Sequence, residues 1–349
     1  MTIRTLPAWG VGLALALAAG STAGAATPPP GLQPALERVV EDGAPGLVAL
    51  VFRDGRELYR AKAGAFDPDR PIPIASASKW MTATLVLTLV DEGKLDLDEP
   101  IGRKLPELKG DVAKITLRQL LSFTSGQGSL AAMADLNQDV GISLETSALQ
   151  IAARPLEDPP GAAFKYGSGA MQLAGLLAER VSGQSWAALF EARIAHPLGM
   201  AHTWWGNPLK PDAARASIRN PNLQAGVYTT ADDYARFLHM LAAGGAYTGG
   251  RILSPEAFKA METAQTLKIP RAFMPPGMAP TAHYAIGNWC ESVGPDGQCV
   301  MASSPGAFGV YPWIDRASGL YGLFFLQYRL GPVADDIRKA REVILHAQP

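Results

Sequence analysis

The sequence predicts an α+β fold: one antiparallel sheet built from both chain ends, flanked by helices, with a helical domain inserted between the two halves of the sheet. Three observations predict it. Strand patterns cluster at the two ends, helical patterns fill the middle, and Pro and Gly clusters separate the helical segments. In chain order, Ala35 to Val40 reads as a helix after the Pro-rich spacer Thr27 to Pro30. Gly46 to Arg53 and Arg56 to Ala61 are β-branched and apolar runs on either side of Asp54-Gly55, a hairpin signature. From Ser76 the chain reads as helix. Trp80 to Val90 is apolar on nearly every face, which marks a buried helix, and Gly93 supplies its stop. Leu117 to Leu121, Leu149 to Ala152, Ala170 to Val181, Trp186 to Ile194 and Ala231 to Ala243 carry helical patterns, whereas Thr266 to Thr281, rich in Pro and Met, reads as a long loop. The character then changes: Ala285 to Trp289, Cys299 to Ala302, Ala307 to Ile314 and Leu320 to Tyr328 read as strands. Pro332 opens a final amphipathic helix, Ala334 to His346, at a position where its missing N–H costs nothing. The expected helical insertion spans roughly residues 94 to 280 of one domain over residues 26–349.

A chain of 349 residues, 48% of them hydrophobic, can bury a large core in a single domain. Its formal net charge is -1 and it has no polybasic block, which argues against nucleic acid and anionic membrane surfaces as partners. Residues 1–25 read as a signal peptide: Arg4 supplies the positive start, Val11 to Ala19 is apolar but too short to span a bilayer, and Ala23-Gly24-Ala25 offers small residues for cleavage. The expectation is a periplasmic or secreted protein starting near Ala26, with no membrane span after cleavage. Cys290 and Cys299 bracket two turn signals, Gly294-Pro295 and Asp296-Gly297, so the thiols are expected to face each other across a hairpin and, once exported, to form a disulfide. There is no CxxC motif, and His196, His202, His239, His283 and His346 show no metal spacing, so neither a metal nor a cofactor is expected.

The chemistry starts at Ser76-Ala77-Ser78-Lys79, the only Ser-x-x-Lys in the chain. Positions i and i+3 share a helix face, so hydroxyl and amine would meet. A serine beside an amine that can take its proton is a nucleophile, and the start of a helix favours the developing anion. Burial at the entry to an apolar helix would also lower the amine from its ordinary value of about 10.4. The alternative for the motif alone is a plain N-cap serine and a surface lysine.

Downstream, Phe164-Lys165-Tyr166-Gly167-Ser168 follows Pro159-Pro160-Gly161 and precedes an apolar helix. With Ser76-Ala77-Ser78-Lys79 it resembles the serine β-lactamase/DD-peptidase superfamily, most closely the class C β-lactamases and their relatives among D-aminopeptidases, DD-peptidases and esterases. The segments Ile115 to Gly126, Pro197-Leu198-Gly199-Met200 and Ala225 to Asp233 follow the family's order, so the resemblance covers nearly the whole chain after residue 25. It implies a β-lactamase/transpeptidase-like fold with Ser76 as nucleophile, Lys79 taking or relaying its proton, and Tyr166 as the second proton-transfer group, its phenol lowered by nearby positive charge. It also implies an oxyanion hole made by the backbone N–H of Ser76 and of the residue after a third motif.

That third motif departs from the pattern. Where relatives carry Lys-Thr-Gly or His-Thr-Gly, this chain aligns Ser304-Pro305-Gly306, which makes Ala307 the second oxyanion donor and leaves Gly306 for close approach of substrate. Ser168 also replaces the usual Asn of Tyr-x-Asn. Ser168, Ser304 and Gly306 are thus the expected substrate contacts, without the cation that would hold a substrate carboxylate. The expected activity is hydrolysis of a small carboxylic ester or related amide through an acyl-serine. The alternatives are β-lactamase or D-amino-acid peptidase activity, with an arginine such as Arg219 or Arg271 holding the carboxylate, or a catalytically weak protein that binds penicillin or peptidoglycan fragments. Trp204-Trp205 and Phe273-Met274-Pro275-Pro276 offer apolar surface for an acyl pocket or, the commoner role of such residues, core or loop packing. No Gly-x-Ser-x-Gly occurs, which disfavours an α/β-hydrolase triad.

Overall fold

The computed structural model describes residues 26–347 except 130–132, 134 and 137–138, so the expected signal peptide lies outside the described residues. Seven strands form one sheet in the spatial order His283–Tyr284, Trp289–Val293, Cys299–Ser303, Tyr311–Asp315, Leu320–Phe325, Gly46–Arg53, Arg56–Gly64. Every neighbouring pair is antiparallel. The strands from the two chain ends pair as the fifth and sixth of the seven, where Val48 faces Phe325 and Arg53 faces Leu320.

Period-2 alternation assigns each face of this sheet a different cover. Leu47, Ala49 and Val51 join Trp313 and Phe324 under the two terminal helices, Leu32–Glu41 and Leu330–His346. Val48, Leu50 and Phe52 point the other way, into the larger core built around the helix Ser78–Asp91. That helix is buried without interruption from Ser78 to Leu89, as its all-round apolar sequence requires. The helices Leu144–Ala152, Ala170–Ser182, Trp186–Phe190, Ala231–Ala242 and Pro255–Met261 lie between the two strand groups in sequence. Cys290 and Cys299 are disulfide-bonded across the strand pair, with Cα atoms 4.9 Å apart. A buried ion pair, Arg341 with Glu291, joined by the Tyr311 hydroxyl at 2.8 Å, ties the last helix to the sheet.

Several boundaries differ from the sequence reading. The chain at Ser76 enters its helix through a 3-10 turn, Ala75–Ala77, and the α-helix proper begins at Ser78. Ala285 to Asn288 is a turn rather than strand. Gly287 has φ +81°, and a Cβ there would meet the Ala83 Cβ at 2.4 Å and the Lys79 carbonyl oxygen at 2.8 Å. Ala307 is likewise in a turn, closed by Gly309 N–H on Gly306 O at 2.9 Å, and the strand starts at Tyr311. The Thr266–Thr281 loop contains a short strand, Arg271–Phe273, paired in parallel with Phe164–Lys165. Helix Leu144–Ala152 starts earlier than its apolar pattern because Ser143 caps it through the Thr146 N–H. Among the described residues, no helix is long and apolar enough to cross a membrane.

Candidate active site

The Ser76 turn is held from two directions. Ile74 N–H donates to Val227 O at 3.0 Å, and the buried Tyr234 hydroxyl donates to Ala77 O at 3.0 Å. Ala75, just before the serine, has φ +47°, a left-handed conformation that non-glycine residues rarely adopt and that surrounding structure must enforce. One helical turn on, Lys79 Nζ lies 2.8 Å from Ser76 Oγ and donates to Gln224 O at 2.9 Å. Its side chain is 3% exposed and has no carboxylate partner; Nζ stands 4.8 Å from the centre of the Tyr166 ring and 6.0 Å from that of Phe123. Desolvation with no compensating anion lowers the amine to about 7, so a large neutral fraction exists near neutrality.

Tyr166 sits between the Phe164–Lys165 strand and the Ala170–Ser182 helix. Its ring is wedged among Trp289, Phe123 and Tyr284, with centroids 5.1, 5.2 and 5.6 Å away. The sequence reading expected nearby positive charge to lower this phenol. The structure reverses that expectation: burial pushes it up to about 12, against a smaller opposing pull from hydrogen bonding with Ser76 and Trp289. The reason is that Lys79, lowered to about 7, is already neutral at the pH where the phenol titrates and supplies no charge to lower it. Near neutral pH the pair is therefore an amine with a large neutral fraction and a protonated phenol.

The Ser303–Phe308 segment packs against the Ser76 turn and supplies Pro305, Ala307 and Phe308 to the opposite wall. Ser304 Oγ donates to Ser76 O at 3.3 Å. A Cβ at Gly306 would sit 2.0 Å from Ile74 O, so glycine here lets the wall approach the Ser76 turn. The sequence reading gave Gly306 to close approach of substrate; the neighbour that requires glycine in the structure is the Ile74 backbone. Among the described residues, neither Ser76 N–H nor Ala307 N–H donates to another group. Two free backbone donors flanking a serine can hold an oxyanion. A cavity of about 400 Å³ opens on Ser76 and Tyr166, walled by Pro275, Pro276, Met278, Trp289, Pro305, Ala307, Phe308 and Leu330.

The Beta-lactamase family model matches residues 32–348. The chain belongs to the beta-lactamase family. It is 30% identical over 258 residues to esterase EstB of Burkholderia gladioli, a match covering 57% of this chain and 66% of EstB. A beta-lactamase-like protein from Bacteroides dorei DSM 17855 superposes with a TM-score of 0.76 at 31% identity, covering 88% of this chain and 97% of the other. A D-stereospecific amidohydrolase from Streptomyces sp. superposes with a TM-score of 0.65 at 25% identity, covering 88% and 97%. The family, these relatives and the β-lactamase/transpeptidase-like fold make the protein a serine hydrolase.

Within this beta-lactamase-family frame, Ser76, Lys79, Tyr166 and Ala307 come together, although they are separated by up to 231 positions in the chain. Ser168 does not line the cavity; its hydroxyl turns inward and accepts the Ala170 N–H at 3.4 Å. Ser304 and Gly306 are also absent from the cavity wall, their groups being spent on the Ser76 turn. Arg271 is engaged with Pro280 O and the His283 ring, and Arg219 lines a separate cavity with Trp204 and Trp205. Of the two roles open to Phe273-Met274-Pro275-Pro276, Pro275 and Pro276 take the first and wall the cavity.

One wall residue was missed altogether. Arg329 reaches the cavity because Tyr328 N–H and Leu330 N–H donate to Phe308 O and Ala307 O at 2.9 and 3.0 Å, strapping the start of the last helix onto the wall. Its guanidinium has no partner among the described residues. The only local signal for it was an arginine immediately before the final helix.

Proposed function

We propose that the protein is an exported hydrolase of small carboxylic esters, working through an acyl-Ser76 intermediate. The observation that carries this reading is a serine–amine pair, 2.8 Å apart with the amine lowered to about 7, opening onto a cavity with mostly apolar walls. Neutral Lys79 takes the Ser76 proton as Oγ attacks the ester carbonyl, and the N–H groups of Ser76 and Ala307 receive the oxyanion. Tyr166, protonated at neutral pH, gives its proton to the departing alkoxide and recovers one from the Lys79 ammonium. Water then attacks the acyl-serine by the same path, releasing the acid and restoring Ser76. EstB, named an esterase, supports the substrate class, and the disulfide together with the apolar Val11–Ala19 run supports export to the periplasm or beyond.

A second reading rests on Arg329. An unpartnered guanidinium at the cavity wall could anchor a substrate carboxylate, as D-amino-acid peptides or β-lactams would present. A side-by-side assay separates the two. The ester reading expects turnover of p-nitrophenyl butyrate with little nitrocefin hydrolysis, and fluorophosphonate labelling that disappears in Ser76→Ala. Strong nitrocefin turnover with a silent ester panel would sink it. A folded protein that does not label would instead point to a binding protein.

A further inference from the structure

Lys79 has a second partner whose own support is built with unusual care. Gln224 contributes its carbonyl, not its side chain, to the amine. A neutral primary amine has two N–H bonds and one lone pair. With one N–H held on Gln224 O and the Tyr166 ring covering another side at 4.8 Å, the lone pair is directed at the Ser76 hydroxyl 2.8 Å away. The direction of the lone pair therefore depends on where the Gln224 carbonyl sits.

That carbonyl lies in a buried non-helical segment, Asn220 to Val227, gripped from two helices. From the Ser78–Asp91 helix, Thr82 Oγ1 donates to Leu223 O at 2.6 Å and Ser78 Oγ accepts the Val227 N–H at 3.0 Å. From the Ala170–Ser182 helix, Gln172 uses both ends of its amide. Nε2 donates to Asn220 Oδ1 at 2.8 Å and to Pro221 O at 3.0 Å, while Oε1 accepts the Leu223 N–H at 2.9 Å. Gln172 is 0% exposed and follows Tyr166 by six residues, so one short stretch of chain fixes both the phenol and the support of the amine. An amide is one of the few side chains that can both donate and accept along an irregular backbone.

We infer that Gln172 is a positioning residue for the hydrolytic reaction: its side-chain amide clamps Asn220 to Leu223 so that the Gln224 carbonyl keeps the Lys79 lone pair on Ser76. The inference rests on the Ser76–Lys79 reading above. The titratable side chain facing Lys79 is Tyr166, so a change in the amine's titration on loosening the clamp reports water reaching it.

The test is the pH profile of kcat/KM for p-nitrophenyl butyrate in Gln172→Met, which keeps the volume and removes the clamp. In the parent enzyme the acidic limb should fall near the Lys79 value of about 7. In the variant, rehydration of the amine should move that limb to higher pH. kcat at pH 7 should drop about 10- to 100-fold, by analogy with lost groups that orient a catalytic ligand, with KM changing far less. Activity should recover as the pH is raised. A folded variant whose limb does not move overturns the inference, whatever its Tm. Should Gln172→Met not fold, Thr82→Val, which releases Leu223 O from the other helix, decides by the same readout. A parent enzyme with no limb near pH 7 would instead fault the assignment of Lys79, leaving the two failures distinguishable.

Discussion

The two walls of the Ser76 cleft are built from opposite kinds of residue. One wall, the Ala75–Lys79 turn and helix with Tyr166, is polar chemistry packed into a dry core: a hydroxyl, an amine and a phenol, with the amine lowered and the phenol raised by burial alone. The facing wall, Pro305, Ala307 and Phe308 with Pro275, Pro276 and Met278, offers the Ala307 N–H and apolar surface, and its one cation, Arg329, comes from the start of the last helix. The difference teaches that the proton-transfer machinery and the recognition surface of this cleft are separable. The first carries the hydroxyl, amine and phenol, while the second is mostly apolar and is held close to the first by Gly306, which lets it approach Ile74.

The largest effect should come from the polar wall. Lys79→Met should lower kcat by about a thousandfold or more, since the nucleophile loses its base. It should also raise Tm. The folded amine, at about 7, lies below its ordinary 10.5, so between those values the unfolded chain binds more protons, and stability should climb as pH rises through that window. In Lys79→Met that slope should vanish, which thermal melts across pH 6–10 would show. Retained activity would break the assignment of chemistry to this wall.

Next is the fit between the walls. Gly306→Ala places a methyl 2.0 Å from Ile74 O, so one backbone must shift; about 1–3 kcal/mol of stability and at least about tenfold in kcat should be lost. Urea melts and single-turnover kinetics check this, and a silent substitution would mean that the walls are not in register.

On the apolar wall the effects should be on selectivity. Phe308→Ala should shift preference from butyrate toward longer acyl esters by about fivefold, read as a ratio of kcat/KM values. Arg329→Ala should leave p-nitrophenyl butyrate within about twofold, while raising KM about tenfold for esters that carry a carboxylate. An equal loss on neutral esters would show that Arg329 serves the reaction rather than recognition, and would blur the contrast between the walls.

Much of this was legible in sequence because it is encoded locally. The Ser76–Lys79 meeting follows from i, i+3 geometry, the burial of their helix from the unbroken apolar run Trp80 to Val90, and the cysteine pairing from a turn-rich ten-residue span. The sheet of both chain ends followed from where strand patterns cluster. Motif position could not say which way the hydroxyls of Ser168 and Ser304 turn: the first accepts the Ala170 N–H two residues on, and the second donates to Ser76 O across 228 positions. The sequence by itself determined which side chains could do acyl transfer and that two of them share one helix turn. The fold alone set the protonation of Tyr166, the carbonyl that aims the amine and the arrival of Arg329, because the burial of the phenol, the Lys79–Gln224 contact across 145 positions and the docking of Leu330 on Ala307 are not written in any local pattern.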